Sequence, residues 1–313
     1  MKICIYGAGA VGGYFGGRLA QAGNDVTFIA RGSHLQAIAA HGLQVTSICG
    51  DFAVHPARAT DQPERVGPVD VVLCCVKSWQ VADAAEKMRP LIAPQTIVIP
   101  LQNGVEAHTV LSKTIDNRHI LPGLCKLITK VAAPGQIHHM GADPYLAFGE
   151  VDGRLSDRAR KVAEVFAGAD GMSVHLSRDI FAQLWRKFML IAPLSGMGAV
   201  TRMAIGVFRS LPETRAMLVD SIREVYAVAI ANGVAIEEKA IGDTMDFIDQ
   251  LPPEGTASMQ RDIMAGRPSE LEEQNGAVVR YGKKGGIQTP INRFIYQSLL
   301  PMERKARGQL TVP

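Results

Sequence analysis

Ile3-Cys4-Ile5-Tyr6-Gly7-Ala8-Gly9-Ala10-Val11-Gly12 and the residues that follow it to Arg31 decide how this chain begins to fold. A short apolar, β-branched run feeds Gly7-x-Gly9-x-x-Gly12. A helix-like segment then runs to Ala22, Gly23-Asn24 breaks it, and a second apolar run covers Val26 to Ala30. The order strand, glycine loop, helix, strand is that of a dinucleotide-binding βαβ unit. Gly7 permits the tight turn out of the strand, and Gly9 lets the backbone approach a pyrophosphate. Gly12 lets the helix pack closely, while the free N–H groups around Ala10 and Val11 and the positive end of the helix dipole face the phosphates.

The end of the second strand selects the dinucleotide. An NAD site places Asp or Glu about 20 residues beyond the glycines, to accept from the ribose 2′-OH. Here that place is held by Arg31, 19 residues after Gly12, and no acid follows until Asp51. A guanidinium grips a 2′-phosphate through two parallel charge-assisted bonds, so the expected cofactor is NADPH.

Outward from this unit, the first half alternates short apolar runs with helix-like segments. Val69 to Val76 and Thr96 to Leu101 read as strands buried on both faces, Val81 to Leu91 as a helix, and Tyr145 to Gly149 as a further strand. Such alternation predicts right-handed crossovers and a parallel sheet. From near Ser177 onward helical periods dominate, over roughly 178–192, 212–232, 237–249, 258–265, 269–281 and 290–305. The expected architecture is a Rossmann-type α/β domain over residues 1–177 and a mainly α-helical substrate domain over 178–313.

Composition narrows the classes. The 313 residues are 47% hydrophobic and 20% charged, with a net charge of +3, too small to argue for nucleic acid or an anionic membrane as partner. Phe188 to Thr201, the charge-poor stretch of interest, is too short to span a bilayer and carries Pro193, Gly196 and Gly198 as expected breaks. Five cysteines in an odd, CxxC-free set suit a reducing compartment. One lysine, Lys2, is followed by only four residues before the first glycine, which fits no signal peptide, so the expectation is cytoplasmic. No metal is expected, because His138-His139 lacks further well-spaced ligands. A homodimer is the candidate assembly.

Candidate chemistry sits first at strand ends. Lys77, in Val76-Lys77-Ser78-Trp79-Gln80, can add positive charge near a cofactor, or simply be an exposed loop lysine. Asn103, in Leu101-Gln102-Asn103-Gly104-Val105, offers a donor and an acceptor, or merely a turn. In the helical half, Leu184-Trp185-Arg186-Lys187-Phe188 sets a lysine among apolar neighbours, suited to protonate a developing alkoxide or to snorkel. Ser258-Met259-Gln260-Arg261-Asp262-Ile263 and Arg267-Pro268-Ser269-Glu270 supply a hydroxyl and an acid on either side of a break. Glu270 fits either a pocket or a helix's first turn.

Taken together and in this order, GAGAVGGYFGGRLAQAG with Arg31, VKSWQ, LQNGV, LWRKF, SMQRDI, R-P-S-E and Pro290 resemble the ketopantoate reductase (2-dehydropantoate 2-reductase) family over nearly the whole chain. The resemblance implies NADPH-dependent reduction of a small branched 2-oxo acid. It implies Lys187 as general acid, Glu270 as its acid partner, Asn103 and Ser258 at the substrate, and Arg31 and Lys77 at the cofactor, to which Asn103 also belongs. One departure matters. The pathway enzymes of that family carry asparagines four and eight residues after the lysine, whereas Ile191 and Ser195 stand there in this chain. Ser195 is kept as a substrate position, while Ile191 makes the pocket more apolar on that side. The leading expectation is therefore reduction of ketopantoate. The alternatives are a more apolar 2-oxo acid, or a non-catalytic NADP(H)-binding regulator, which would need neither Lys187 nor Glu270.

Overall fold

A computed structural model describes residues 1–310. The chain divides into two compact units, one formed by Met1–Gln102 with Ala107–Ile180, the other by Asn103–Glu106 with the stretch from Phe181 on. In the first lie β1 (Lys2–Tyr6), α1 (Ala10–Gln21), β2 (Asp25–Ile29), α2 (Gly32–His41), β3 (Leu43–Ser47), β4 (Phe52–Val54), β5 (Arg58–Thr60), β6 (Val71–Cys74), α3 (Val81–Lys87), β7 (Ile97–Pro100), α4 (Ala107–Leu111), β8 (Gly123–Ala133), β9 (Gln136–Phe148), α5 (Asp157–Ala167) and β10 (Ser173–Leu176).

Five of these strands form a parallel sheet in the order β5-β2-β1-β6-β7, the expected Rossmann arrangement. Alternation along β1 explains why both faces are covered. Ile3 and Ile5 join Phe15, Leu19 and Phe28 on one side, while Cys4 and Tyr6 join Val81, Ala84 and Met88 on the other. Each fully buried large side chain contributes about 1.5–3 kcal/mol relative to exposure. Burial holds the Cys4 and Cys74 thiols neutral, pushed up to about 12, so both act as small core residues.

A second sheet, unforeseen from the sequence, runs β10-β9-β3-β4 with β8 antiparallel along β9. Only the end of β9 was legible as a strand. The others are short or half-polar, and β3 finds its partner β9 more than 90 residues away, pairing Gln44 with Gln136. Helix α1 packs between the two sheets, and its paired glycines permit it. A Cβ on Gly12 or Gly16 would press on Ile5 or Phe28 at 2.8 or 2.7 Å, whereas one on Gly13 or Gly17 would press on Ile137 or Phe52 at 2.8 or 2.6 Å. Two glycine faces thus serve two sheets.

The second unit holds α6 (Ile180–Thr201), α7 (Ile205–Ser210), α8 (Pro212–Ala231), α9 (Ala240–Gln250), α10 (Ser258–Met264), a π turn (Glu272–Gly276), α11 (Ala277–Gly285) and α12 (Pro290–Ala306). Helix α6 does not break at Pro193 but continues to Thr201. Residues 192–199 are buried throughout, so packing overrides the missing Pro193 N–H. Gly196 and Gly198 admit the side chains of Asn275 and Gln260, which a Cβ would meet at 2.9 and 2.7 Å. Asn275 Nδ2 also donates to the Ala192 carbonyl at 3.2 Å, beside the proline. Among the described residues no helix is long and apolar enough to cross a membrane.

Candidate functional site

The glycine loop lies at the carboxyl end of β1. Gly7 has φ +103°, and a Cβ there would meet the Val76 backbone nitrogen at 2.9 Å, so the turn requires glycine. The Gly7 and Ala8 N–H groups donate to the Ile29 carbonyl at 3.2 and 2.9 Å, tying the loop to β2. Gly9 is different. It precedes α1 with an extended backbone, and a Cβ on it would meet nothing within 4 Å. That open space, in front of a helix start whose first N–H groups have no intrahelical acceptor, fits phosphate oxygens. Ala10 and Val11 form the first turn of α1.

Arg31 precedes α2 directly and is exposed. Burial pushes the Tyr6 phenol up to about 12 while the Arg31 charge pulls it down, so Arg31 stands close to the carboxyl end of β1. Lys77, also exposed, follows β6, with Nζ 5.6 Å from the Trp79 ring centre. The strand end before it is held by Gln102, a residue the sequence reading passed over. Its Nε2 donates to the Cys74 and Val76 carbonyls at 2.8 and 2.9 Å.

Within the second unit a separate cluster forms. Asn103 Nδ2 donates to Glu270 Oε2 at 3.0 Å, and Gln274 Nε2 reaches the same oxygen at 3.4 Å. Glu270 is 4% exposed, so its carboxyl is desolvated and its amide donors count for more than they would in water. Glu270 lies just before the π turn rather than within a helix's first turn, and its carbonyl accepts from the Gln274 N–H at 2.9 Å. A clamp from α12 fixes its neighbour. Glu303 accepts from the Ser269 N–H at 3.0–3.1 Å and from its hydroxyl, and Arg307 bonds both Glu303 and the Ser269 carbonyl. Gln274, four residues after Glu270, could have been suspected from helical spacing; Glu303 gave no signal.

Lys187 is half-buried in the middle of α6, with Ile191 and buried Ser195 one and two turns further along the same face. Ser258 is the half-buried first residue of α10. Next to the Asn103–Glu270 pair, Glu273 places its Cβ and carbonyl against Gly104. Its Oε2 is buried without a partner among the described residues; burial, with Glu270 nearby, pushes the carboxyl up to about 7. Among the described residues no cluster of three or more His, Cys, Asp or Glu could hold a metal. His139 instead pairs with the Ser47 hydroxyl at 2.9 Å.

The chemistry available is thus an anion-accepting backbone loop in one unit and, in the other, a lysine-bearing helix with a buried, amide-held carboxyl. Residues 3–153 match the family described as Ketopantoate reductase PanE/ApbA, and residues 179–303 match its C-terminal family. The 2-dehydropantoate 2-reductase of Nostoc sp. is 29% identical, over 99% of this chain and 98% of that protein. The crystal structure of a PanE/ApbA family ketopantoate reductase from Ralstonia eutropha is 32% identical with a TM-score of 0.90, covering 98% of this chain and 100% of that one. A ternary structure of D-mandelate dehydrogenase with NADH and anilino(oxo)acetate is 25% identical with a TM-score of 0.89, over 98% and 99% of the two chains.

Proposed function

Because this chain belongs to the ketopantoate reductase family and is an oxidoreductase, we propose that it reduces a small branched 2-oxo acid with NADPH, ketopantoate being the leading substrate. The observation that carries this reading is the 3.0 Å bond between Asn103 and Glu270. It joins two distant motifs in one unit, the unit whose α6 bears Lys187.

The nicotinamide supplies a hydride to the keto carbon when bound. The glycine loop would hold the pyrophosphate through the N–H groups of Gly9, Ala10 and Val11, with Arg31 available to the 2′-phosphate and Lys77 adding positive charge. Lys187 donates a proton to the keto oxygen as negative charge grows there. Glu270 steadies the ammonium, and Asn103 and Gln274 hold Glu270 in turn. Asn103, Ser258 and Ser195 offer hydrogen bonds to the substrate.

A second reading, a more apolar 2-oxo acid, is favoured by Ile191 on the Lys187 face of α6 and by the similarity to D-mandelate dehydrogenase. One assay separates the two. Purified protein is followed by NADPH absorbance across 2-oxo acids from ketopantoate to phenylglyoxylate. Fastest turnover of ketopantoate supports the first reading, and fastest turnover of phenylglyoxylate the second. No oxidation of NADPH with any member would overturn both.

A further inference from the structure

The glycine loop has a strut that comes from neither its own strand nor its own helix. His34, half-buried in the first turn of α2, places Nε2 2.7 Å from the Ala8 carbonyl, while Nδ1 lies 3.0 Å from the Gly135 N–H. A backbone N–H can only donate, so Nδ1 is the bare nitrogen and Nε2 carries the proton that Ala8 accepts. The ring's two roles are therefore assigned by its partners.

Both ends of this strut are anchored. Gly135 forms the turn between β8 and β9 with φ +75°, and its carbonyl accepts from the Gln44 N–H at 2.9 Å. A Cβ on Gly135 would lie 3.1 Å from Ala37 Cβ, so the turn rests on α2 itself. At the other end, the Ala8 N–H is held by Ile29 at 2.9 Å. The Ala8 carbonyl and the Gly9 N–H belong to one planar trans peptide and point in opposite directions. Fixing that carbonyl on His34 turns the Gly9 N–H to the other side, where it has no acceptor among the described residues.

We propose that His34 is a positioning residue for the dinucleotide's pyrophosphate, holding the Gly9 N–H in its donating orientation from the β8–β9 turn. This rests on the reading of the loop as a dinucleotide site. Arg31, three residues earlier, would read the 2′-phosphate. His34 would act on the part that NADPH and NADH share.

The test is dissociation constants for NADPH and NADH, with melting curves, for the unmutated protein, His34→Ala and His34→Gln. Losing the strut should weaken both dinucleotides on the order of 10-fold in His34→Ala, about the worth of one well-placed hydrogen bond, with their ratio unchanged. His34→Gln, whose amide nitrogen can reach the Ala8 carbonyl, should recover affinity to within about 3-fold. Unchanged affinity in folded His34→Ala would overturn the proposal, as would a His34→Gln as weak as the alanine variant. Loss of NADPH affinity alone would also overturn it, by moving His34 to the 2′-phosphate. If His34→Ala does not fold, His34→Leu, which fills the space without a donor, takes its place: the same loss for both dinucleotides is expected, and unchanged affinity overturns the proposal. An unmutated protein that binds neither dinucleotide would instead refute the functional reading, a result the first measurement of the series gives by itself.

Discussion

The two candidate sites are built from different materials. In the first unit the loop is made of backbone and of missing side chains: Gly7 for its turn, Gly9 for open space, Gly12 for contact with β1. In the second unit the cluster is made of side chains brought from separate stretches, Asn103, Glu270 and Gln274, with Lys187 on α6. A site of the first kind is damaged by adding atoms, and one of the second kind by removing them.

Adding a single methyl group should give the largest effect. A Cβ on Gly12 would overlap the Gly7 carbonyl oxygen and lie 2.8 Å from Ile5 Cγ2. Gly12→Ala should therefore cost about 3 kcal/mol or more in denaturant unfolding, at or beyond the upper end for overpacking. Gly9→Ala, with nothing within 4 Å, should melt like the unmutated protein yet bind NADPH at least about 10-fold more weakly. Equal melting of the two variants would break the comparison on the first unit's side.

Removing atoms from Lys187 comes next. Lys187→Ala should keep its melting temperature and NADPH affinity while kcat falls about 100-fold or more, within the range for a lost general acid. Near-normal turnover would make Lys187 a snorkelling residue. Arg31→Ala, a removal in the first unit, should narrow the NADPH-over-NADH preference by about 1–3 kcal/mol in binding titrations. An unmutated protein with no preference would withdraw Arg31 from the 2′-phosphate.

The smallest effect concerns a buried carboxyl. Glu273 has a buried oxygen without a partner among the described residues and a carboxyl pushed by burial from 4.5 to about 7. Between these values the folded chain holds a proton that the unfolded chain has released. Stability therefore falls as pH rises through that window and stays lowered above it. Glu273→Gln removes the penalty. It should melt about 2 °C or more higher than the unmutated protein at pH 8, with the gain gone near pH 4, where both carboxyl states are protonated. A gain of equal size at both pH values would point to packing rather than ionisation.

The same contrast explains what could be read in advance. The first two strands of the parallel sheet and the loop between them are encoded within a continuous stretch, residues 3–31, where strand, turn and helix signals follow one another, and β6 and β7 announce themselves as apolar runs. The second sheet was not visible, because its strands are short or half-polar and β3 finds β9 only across more than 90 residues. Helix α6 overran its expected end because burial of residues 192–199 outweighs Pro193. Lys187, Glu270 and Asn103 could be named as candidates from their motifs. That Asn103 and Glu270 share a hydrogen bond across 167 residues could not be read from spacing. His34 and Gln102 offered no signal at all, since each acts by holding a carbonyl that only the fold brings near.

Helix α1, with one pair of glycines against each sheet, has a consequence for how this unit opens. Neither sheet can loosen without stripping a face of the same helix, so amides of β1 and β9 should exchange with deuterium through a shared opening rather than two independent ones. A dinucleotide held at the start of α1 would slow that opening in proportion to its occupancy. Protection should then spread from the loop to the edge strand β8, where no ligand atom need ever come.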